Sequence, residues 1–249
     1  MSELITWAGR TLSGSDRFGR WVTTSLEGWW DSPEIRGDAE DRPYQDGEFD
    51  LPVYNQARLI TINGNLHADS HAQLHEAMNF LTGPMSGRLT VTGHGVVQWA
   101  DAKRNSGVKF TPVTDVFAQW QVRLKCPDPR KFGNSVTTAV ATGSPVTVSH
   151  RGNYNAMPKF IVRGDMPGGY TITVDGWNYT VTSALVTGQP HRIDYDNGRL
   201  YRNGVLTQGS VGIVTTTQPI PPGKSVAVGL YPFTTGSGSA DMTIIDTYI

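Results

Sequence analysis

The clearest pattern of apolar and polar positions in the chain lies over Phe117–Cys126, with the sequence FAQWQVRLKC. Every second residue from Ala118 to Cys126 is apolar, and the residues between them are polar or charged. This alternation predicts a half-buried β-strand about ten residues long. Pro127 and Pro129 follow directly and cannot donate to a strand ladder, so the strand is expected to end there.

The residues before this strand predict short strands and long loops. Glycines recur through residues 1–52 too often for helices of ordinary length. The stretch Glu34–Gln45 is highly charged and is predicted to be a loop. The other elements expected here are an Asp46-Gly47 hairpin turn, a strand over Glu48–Val53, a strand over Arg58–Asn63 and a turn at Asn63-Gly64.

One helix is predicted in the first half of the chain. Ser70 and Gln73 fit a capping box, and Gly83 with Pro84 marks the end of the helix. Apolar residues recur between these limits at helical spacing, namely Leu74, Ala77, Met78 and Leu81. Further strands are predicted at Leu89–Thr92, Val96–Ala102 and Val108–Val113. The first half is therefore predicted to be a sheet with one helix against it.

The second half shows no helical periodicity and a series of short alternating runs. Asp175-Gly176, Asn197-Gly198 and Asn203-Gly204 are typical of hairpin turns. The predicted strands are Val146–Ser149, Lys159–Arg163, Tyr170–Val174, Asn178–Thr182, His191–Asp194, Arg199–Arg202, Gly212–Thr216, Ser225–Tyr231 and Asp241–Tyr248. So many short strands predict a β-sandwich or a closed barrel.

Composition divides the chain at the same place. Residues 1–133 contain 14 Lys and Arg and 16 Asp and Glu, whereas residues 134–249 contain 7 and 6, with no glutamate. Six of the seven tryptophans lie in the first part. We therefore expect a mainly β protein with two β-rich domains, residues 1–133 and 134–249. The junction between the domains is assigned to Cys126, Pro127, Asp128 and Pro129.

The overall charge excludes some classes of partner. A net charge of −1 and a pI near 6.6 argue against nucleic acid or an anionic membrane surface. The single cysteine, Cys126, excludes an internal disulfide and suits a protein made in a reducing cytoplasm. No apolar run is long enough to span a bilayer, and we expect no secretory signal at the N-terminus.

Three histidines spaced by four, His67, His71 and His75, form a candidate metal site. Two imidazoles one turn apart on a helix can share a divalent cation. However, His67 precedes the expected helix cap and Glu76 points away from His75, so a third ligand is missing. We therefore favour exposed, solvated histidines.

Asp194 and Asp196 have the spacing of paired carboxylates for acid–base or metal chemistry. Beside Asn197-Gly198 they are more simply explained as turn formers, because Asp and Asn satisfy backbone amides in tight turns.

Two further motifs lack the context that their chemistry needs. Ser106 and Lys109 have the spacing of a serine–lysine pair without the partner motifs of that enzyme class. Gly223-Lys224-Ser225 lacks the upstream glycine and the helix of a phosphate loop. We expect no catalytic residue, no metal and no cofactor.

Tryptophans are the remaining candidates for a functional surface. Trp29 and Trp30 are adjacent, so in a strand their rings face opposite sides and cannot both enter one core. One of them is a candidate for a subunit interface, where tryptophan is enriched. Trp177, beside a hairpin turn, could stack on a sugar, but we favour an aromatic that covers its own sheet.

The serial order of several segments resembles the distal tail proteins of bacteriophages with long, non-contractile tails, the siphovirus-type minor tail proteins. The matching segments of the first half are LEGWWDSP (Leu26–Pro33), DGEFDLP (Asp46–Pro52), RLITING (Arg58–Gly64), the helix after it and CPDPRKFG (Cys126–Gly133). Those of the second half are Gly152-Asn153-Tyr154, MPKFIVRG (Met157–Gly164), IDYDNGRLYRNG (Ile193–Gly204) and the PPGKS loop. Together they cover nearly the whole chain.

This resemblance implies a belt domain over residues 1–133 that closes copies of the chain into a ring, hexameric in the family, and a galectin-like β-sandwich over residues 134–249. It implies a structural virion protein at the tail tip or baseplate, made in the host cytoplasm and without enzymatic activity. The implied partners are further copies of the chain, the tail tube protein and the tail-tip hub protein, with the tape measure protein as an additional candidate. The candidate residues of the ring interface are Trp21, Trp29, Trp30 and Phe49.

The galectin-like fold also raises an alternative function, a carbohydrate-binding module for host adhesion. Galectin sites rest on a tryptophan followed closely by a glutamate, and residues 134–249 contain no glutamate. The fold can therefore be shared while the site is absent. A cell-wall hydrolase is the third hypothesis and has the least support.

Overall fold

The strand over Phe117–Cys126 forms with the predicted bounds. The computed structural model describes residues 3–37, 40–207, 211–214 and 217–249. The chain divides into unit 1, which comprises Met1–Lys131 with Ile249, and unit 2, which comprises Phe132–Tyr248. Both units consist mostly of β-strands, so the predicted mainly β class is confirmed.

Unit 1 combines a set of paired strands with one helix in its described part. The strands are β1 (Leu4–Trp7), β2 (Arg10–Thr11), β3 (Gly14–Asp16), β4 (Gly19–Glu27), β5 (Ile35–Arg36), β6 (Tyr54–Asn55), β7 (Arg58–Ala68), β8 (Ser86–Gly93), β9 (Val96–Arg104), β10 (Lys109–Thr114) and β11 (Phe117–Cys126). The helix is α1 (His71–Thr82). The main sheet has the order β9-β11-β7-β4-β3, with β10 also on β11 and β8 between β1 and β9.

The core of unit 1 is rich in tryptophan. β11 pairs with β7 over its whole length, from Phe117 opposite His67 to Cys126 opposite Arg58. The apolar face of β11 is buried, as the alternation predicted. Trp120 on this face meets Trp21 of β4 edge to face at 5.9 Å, an arrangement that aromatic pairs favour.

The helix α1 forms where the sequence predicted it. The Ser70 side chain accepts a hydrogen bond from the Gln73 amide at 3.3 Å, and Leu74, Ala77 and Leu81 are buried. No residue in the last turn is basic. Instead, two arginines from other strands, Arg10 and Arg104, donate to the terminal carbonyls at 2.7 Å each. These bonds satisfy carbonyl groups that a helix end leaves unpaired. No helix in the described part of the chain is long and apolar enough to cross a membrane.

The predicted turn at Asn63-Gly64 is wrong, because β7 runs straight through it to Ala68. Gly64 serves close packing instead. A Cβ atom at this position would lie 2.2 Å from Cζ2 of Trp120 and 2.5 Å from the Val22 carbonyl oxygen. Glycine is needed here because the Trp120 ring presses against the backbone.

The predicted strand over Glu48–Val53 is also wrong. Only an isolated bridge, Asp41 to Glu48, and the short β5–β6 pair give this region strand character. Residues 48–53 are all exposed, and a strand pair without a buried face is only marginally stable.

Unit 2 consists of two sheets over a shared core. Its strands are β12 (Lys131–Ala141), β13 (Val146–Val148), β14 (Lys159–Asp165), β15 (Tyr170–Val174), β16 (Trp177–Val181), β17 (His191–Asp194), β18 (Arg199–Arg202), β19 (Val205–Thr207), β20 (Val211–Val214), β21 (Val226–Pro232) and β22 (Ser237–Tyr248). One sheet has the order β19-β18-β17-β14-β22-β12 and the other β13-β21-β15-β16-β20. Their inner faces share one hydrophobic cluster, as in a β-sandwich.

The hairpin turns of unit 2 were predictable from two residues each. Asp175 and Gly176 have φ of 50° and 81°, and Asn203 and Gly204 have 46° and 83°, which suits the primed turns of two-residue hairpins. The strand predicted over Gly212–Thr216 lies partly outside the described residues. β12 was not predicted at all, since its middle is exposed and alternates weakly.

Candidate functional site

The three spaced histidines do not converge. His67 lies on β7, where its ring packs against Phe117 with centroids 4.7 Å apart. His71 is the first residue of α1, and its Nδ1 is 3.9 Å from a carboxylate oxygen of Asp115. Among the described residues, no three His, Cys, Asp or Glu side chains form a group that could hold a metal ion.

Asp194 is the last residue of β17, directly before the turn over residues 195–198. The Asn197 side chain donates to its carboxylate at 3.2 Å, and the Asn197 side-chain oxygen in turn accepts from the Arg199 amide at 3.0 Å. These bonds close the loop between β17 and β18. They explain the occurrence of Asp and Asn there by the needs of the turn.

Ser106 and Gly223 also lie in connections between strands. Ser106 comes just before β10, and Gly223 has the left-handed φ of 67° in the turn before β21. Neither position follows a strand and opens a helix, which is the context that a phosphate loop needs.

Two of the four predicted interface residues are buried and two are exposed. Trp21 is 2% exposed and Trp29 is 0% exposed, and both pack in the core of unit 1. Their side chains are therefore not available to a partner, and we remove them from the candidate interface. Trp30 and Phe49 are 46% and 47% exposed, so they remain candidates. The expectation that Trp29 and Trp30 face opposite environments is confirmed.

Residues 34–54 are called the arm here, and its described residues, 34–37 and 40–54, form an exposed hairpin. Its legs are joined by a bond from the Phe49 amide to the Glu40 carbonyl at 2.9 Å, and its base by one from Gln56 to Glu34 at 2.7 Å. Every described residue of the arm is exposed. Large apolar side chains on it are Ile35, Tyr44, Phe49, Leu51, Val53 and Tyr54. A hairpin without a core of its own is marginally stable alone, and such an apolar surface is typical of a contact with another chain.

Arg58 holds the base of the arm. It follows the arm at the start of β7 and is 1% exposed. Its Nη1 donates to the carbonyls of Gly28 at 2.7 Å and Asp31 at 2.6 Å, and its Nε donates to the carbonyl of Pro129 at 3.0 Å. The guanidinium therefore ties three segments together through carbonyl oxygens.

Lys131 is a second buried cation at the same place. Its ammonium donates to the Trp29 carbonyl at 2.8 Å and lies 5.5 Å from the Trp29 ring centroid. Burial, together with the neighbouring charge of Arg58, lowers the pKa of Lys131 to about 8. Carbonyl dipoles and an aromatic face thus hold two positive charges without a buried carboxylate.

The predicted junction lies next to this cluster. Cys126 is buried opposite Arg58, and burial raises the pKa of its thiol to about 11, so the thiol is protonated and unreactive at neutral pH. The Asp128 carboxylate accepts from the Arg130 side chain at 2.8 and 2.9 Å. The Pro129 carbonyl accepts from Arg58. The four junction residues therefore lie in an ordered, hydrogen-bonded segment.

A buried pair of ionisable side chains, Tyr170 and His191, lies in the core of unit 2. The Tyr170 hydroxyl lies 3.1 Å from Nδ1 of His191, and both side chains are buried. Burial and the charge of Arg202 lower the pKa of His191 to about 4, so the imidazole is neutral at pH 7. This pair stabilises the core and is too enclosed to act on a substrate.

The outer face of the second sheet of unit 2 carries exposed aromatic residues. The Tyr231 ring lies over Gly229, where a Cβ atom would be 2.5 Å from a ring carbon. Thr171 is opposite both Tyr231 and Thr180, and the two threonine hydroxyls are 3.3 Å apart. Trp177 is 46% exposed beside its turn.

Comparison with known proteins gives a likeness in structure alone. No family model matches the sequence, and no curated protein matches it. The structure of the Dit protein (gp 19.1) of phage SPP1 matches with a TM-score of 0.76 over 100% of both chains, at 16% identity. That protein is described as a paradigm of the hub adsorption apparatus in phages that infect Gram-positive bacteria.

The chain has the fold of SPP1 Dit. Two structures of the phage P2 baseplate in its activated conformation also match this chain, with lower TM-scores than Dit. The structure with calcium has a TM-score of 0.53 and the structure with strontium 0.51, each at 7% identity. The matches cover 99% and 90% of this chain and 98% and 89% of those chains. All three neighbours are thus components of phage tails, consistent with the sequence resemblance.

The two buried cations near the base of the arm could not be recognised from the sequence. Arg58 and Lys131 looked like ordinary charged residues at strand ends, and nothing in their spacing distinguishes them. Their burial depends on the turn over residues 28–31, which supplies carbonyl groups from a distant part of the chain.

Proposed function

We propose that the protein is a structural component of a phage tail tip, where copies of it form a ring between the tail tube and the tail-tip hub. The observation that carries this proposal is the likeness to SPP1 Dit over the full length of both chains. The likeness to P2 baseplate structures supports it. In this function the protein is a virion component made in the host cytoplasm, and it has no catalytic activity or cofactor.

The exposed surface of the arm is a second argument for a ring. Its exposed apolar residues, together with Trp30 at its base, offer a surface that a single copy does not cover. Rings arise from head-to-tail contacts, in which one surface of each copy meets a different surface of the next. Obligate contacts of this kind bury on the order of 2,000 Å² or more. An arm that reaches onto the next copy would increase the interface area between the two copies.

Within this proposal, unit 1 is the belt domain and unit 2 is the galectin-like domain. Six copies, as the resemblance implies, would enclose a channel that continues the tail tube. The partners are then the tail tube protein, the hub protein and, as a further candidate, the tape measure protein.

The test is imaging and native mass spectrometry of the purified protein at micromolar concentration, with and without its tail tube neighbour. We expect rings with a central hole. A matched variant replaces residues 37–53 by Asn-Gly, which closes the short β5–β6 pair with a two-residue turn. This variant should fold and remain monomeric. A wild-type protein that stays monomeric under all these conditions contradicts the ring.

A carbohydrate-binding module for host adhesion is the second candidate, and one observation favours it. A Cβ atom at Gly229 would lie 2.5 Å from a carbon of the Tyr231 ring and 2.9 Å from the Thr173 hydroxyl oxygen, so a partly exposed aromatic ring and a hydroxyl group lie close together, as is suited to stacking on a sugar. A glycan array probed with the full chain tests this. Binding that is lost in Tyr231→Ala would support adhesion, whereas no binding to any host glycan would remove it.

A further inference from the structure

The arm is strongly acidic, and the rest of the chain is not. Residues 34–54 contain seven acidic and two basic residues, whereas the remaining residues contain 15 acidic and 19 basic ones. None of the described arm carboxylates forms an ion pair with a described cation. The arm therefore combines apolar side chains with unneutralised negative charge, which suits a basic surface that also carries an apolar residue.

Unit 1 carries such a surface on the outer face of its main sheet. Four exposed cations lie there on adjacent strands, and we call them the cation strip: Lys103 of β9, Lys109 of β10, and Arg123 and Lys125 of β11. The register places these side chains on one face. Lys125 lies opposite Lys103 on one side and opposite the exposed Leu59 on the other.

The cations of the strip have no partner within the chain's described part. None of the four forms an ion pair there. Of the acidic residues nearby on the same face, Asp101 pairs with Arg88 at 3.6 Å, and Glu27 is on β4, two strands away from Arg123. The strip is therefore a local concentration of positive charge on a protein of net charge −1.

The arrangement is unfavourable for a single copy. Lys103 and Lys125 are direct cross-strand neighbours, and like charges in that position destabilise a sheet. Carboxylates from outside the chain would relieve this repulsion. The arm of the same copy does not do so, because its carboxylates and the strip cations are exposed and unpaired in the same structure.

We propose that the cation strip receives the acidic arm of a second copy of the chain. The inference rests on the proposed ring and specifies the contact that closes it. A hairpin with about ten residues in each leg extends roughly 30 Å, far enough to cross onto a neighbouring copy. In the contact, arm carboxylates lie against the four cations, and arm side chains such as Leu51 and Val53 cover Leu59.

Charge reversal on each side tests the contact. The strip variant is Lys103→Glu with Lys125→Glu, and the arm variant is Asp46→Lys with Glu48→Lys. The control for the strip variant is Lys159→Glu with Lys224→Glu, which makes the same change in net charge as the strip variant but at exposed positions of unit 2. We expect the strip and arm variants each to raise the apparent dissociation constant of the ring at least about tenfold, and the control to leave it unchanged.

Mixing supplies the decisive measurement. Strip and arm variants mixed in equal amounts should assemble into rings with alternating subunits, since each reversed arm meets a reversed strip and each native arm meets a native strip. Circular dichroism of each variant alone shows whether it is folded. Assembly in the mixture also demonstrates folding, because an unfolded variant cannot complement its partner.

Each outcome has a distinct meaning. Wild-type rings with unaffected strip and arm variants would overturn the arm–strip contact and leave the ring intact. Wild-type protein that stays monomeric would overturn both. A strip variant that assembles normally but loses binding to a short DNA duplex at low salt would also overturn the contact and assign the strip to nucleic acid. Weakening of both variants with rescue in the mixture supports it.

Discussion

The Nη1 of Arg58 donates to the main-chain carbonyl of Asp31 at 2.6 Å, and this bond holds the segment that leads into the arm. Its partners at Gly28 and Pro129 are also carbonyls. Arg58→Met should lower the free energy of unfolding of unit 1 by about 3 kcal/mol, because three partly buried carbonyls lose their donor. Urea unfolding followed by tryptophan fluorescence reports on unit 1, which contains six of the seven tryptophans. The exposed Arg20→Met is the control, and equal losses in the two variants would contradict the clamp.

Lys131 should make the stability of unit 1 depend on pH in the alkaline range. Its pKa is lowered from 10.5 to about 8, so between these values the unfolded chain binds the proton and the folded chain does not. The contribution of this residue to the free energy of unfolding therefore increases as the pH is raised from about 8 to 10.5, by at most about 3 kcal/mol. The measurement is the difference in stability between wild type and Lys131→Met at several pH values, which cancels the titration of the tyrosines and Cys126. A difference that is flat across this range would show that the folded pKa is normal.

His191 should make unit 2 sensitive to acid. Its pKa is lowered from 6.5 to about 4, so its contribution to stability is complete above pH 6.5 and is lost as the pH falls towards 4. His191→Gln should remove this part of the acid sensitivity while costing some stability at neutral pH. Calorimetric unfolding at neutral and acidic pH compares this variant with the exposed control His75→Gln. The prediction fails if both variants keep the acid sensitivity of the wild type.

Gly64 should tolerate no side chain. A Cβ atom there would overlap the Trp120 ring and the Val22 carbonyl, so Gly64→Ala should destabilise unit 1 by about 3 kcal/mol or more. At Gly107 a Cβ atom would meet nothing within 4 Å. Gly107→Ala should therefore change the stability by less than about 0.5 kcal/mol. Similar unfolding midpoints for the two variants in urea would refute the packing argument.

The adjacent tryptophans should have separate effects. Trp29→Ala removes a fully buried ring and should cost about 3–5 kcal/mol of protomer stability. Trp30→Ala removes an exposed ring and should leave protomer stability within about 0.5 kcal/mol while weakening assembly. Denaturation and native mass spectrometry separate the two effects. Unimpaired ring formation by Trp30→Ala would exclude this residue from the interface.

The elements that the sequence predicted best depend on neighbours in the chain. The helix is defined by Ser70, Gln73 and a stripe of apolar residues, and all of these act over one or two turns. The hairpins at Asp175-Gly176 and Asn203-Gly204 depend on residues that adopt positive φ. The alternation of apolar and polar residues in Phe117–Cys126 predicts which face of the strand is buried without knowledge of the partner strand.

The predictions were wrong where a residue far away in the chain determines the local structure or the burial of a side chain. Asn63-Gly64 has the composition of a turn, but Trp120 needs the space at Gly64 and keeps the strand straight. Trp21 and Trp29 belong to a segment rich in glycine and charge. Trp21 enters the core because β4 pairs with β7, and Trp29 joins the same core from the bend that follows β4. The division of the candidate interface into buried and exposed tryptophans could not be inferred from residue type.

The sequence by itself determined the mainly β class, the helix, the hairpins and the segment order that resembles the distal tail proteins, because these rest on local periodicity, turn chemistry and serial motifs. Only the tertiary structure decided that residues 34–54 project as an arm, that Arg58 and Lys131 are buried at its base, and that four cations from three strands form one strip. These features are set by contacts between residues far apart in the chain. Their energies depend on burial and on the distance between charges, which residue order alone does not specify.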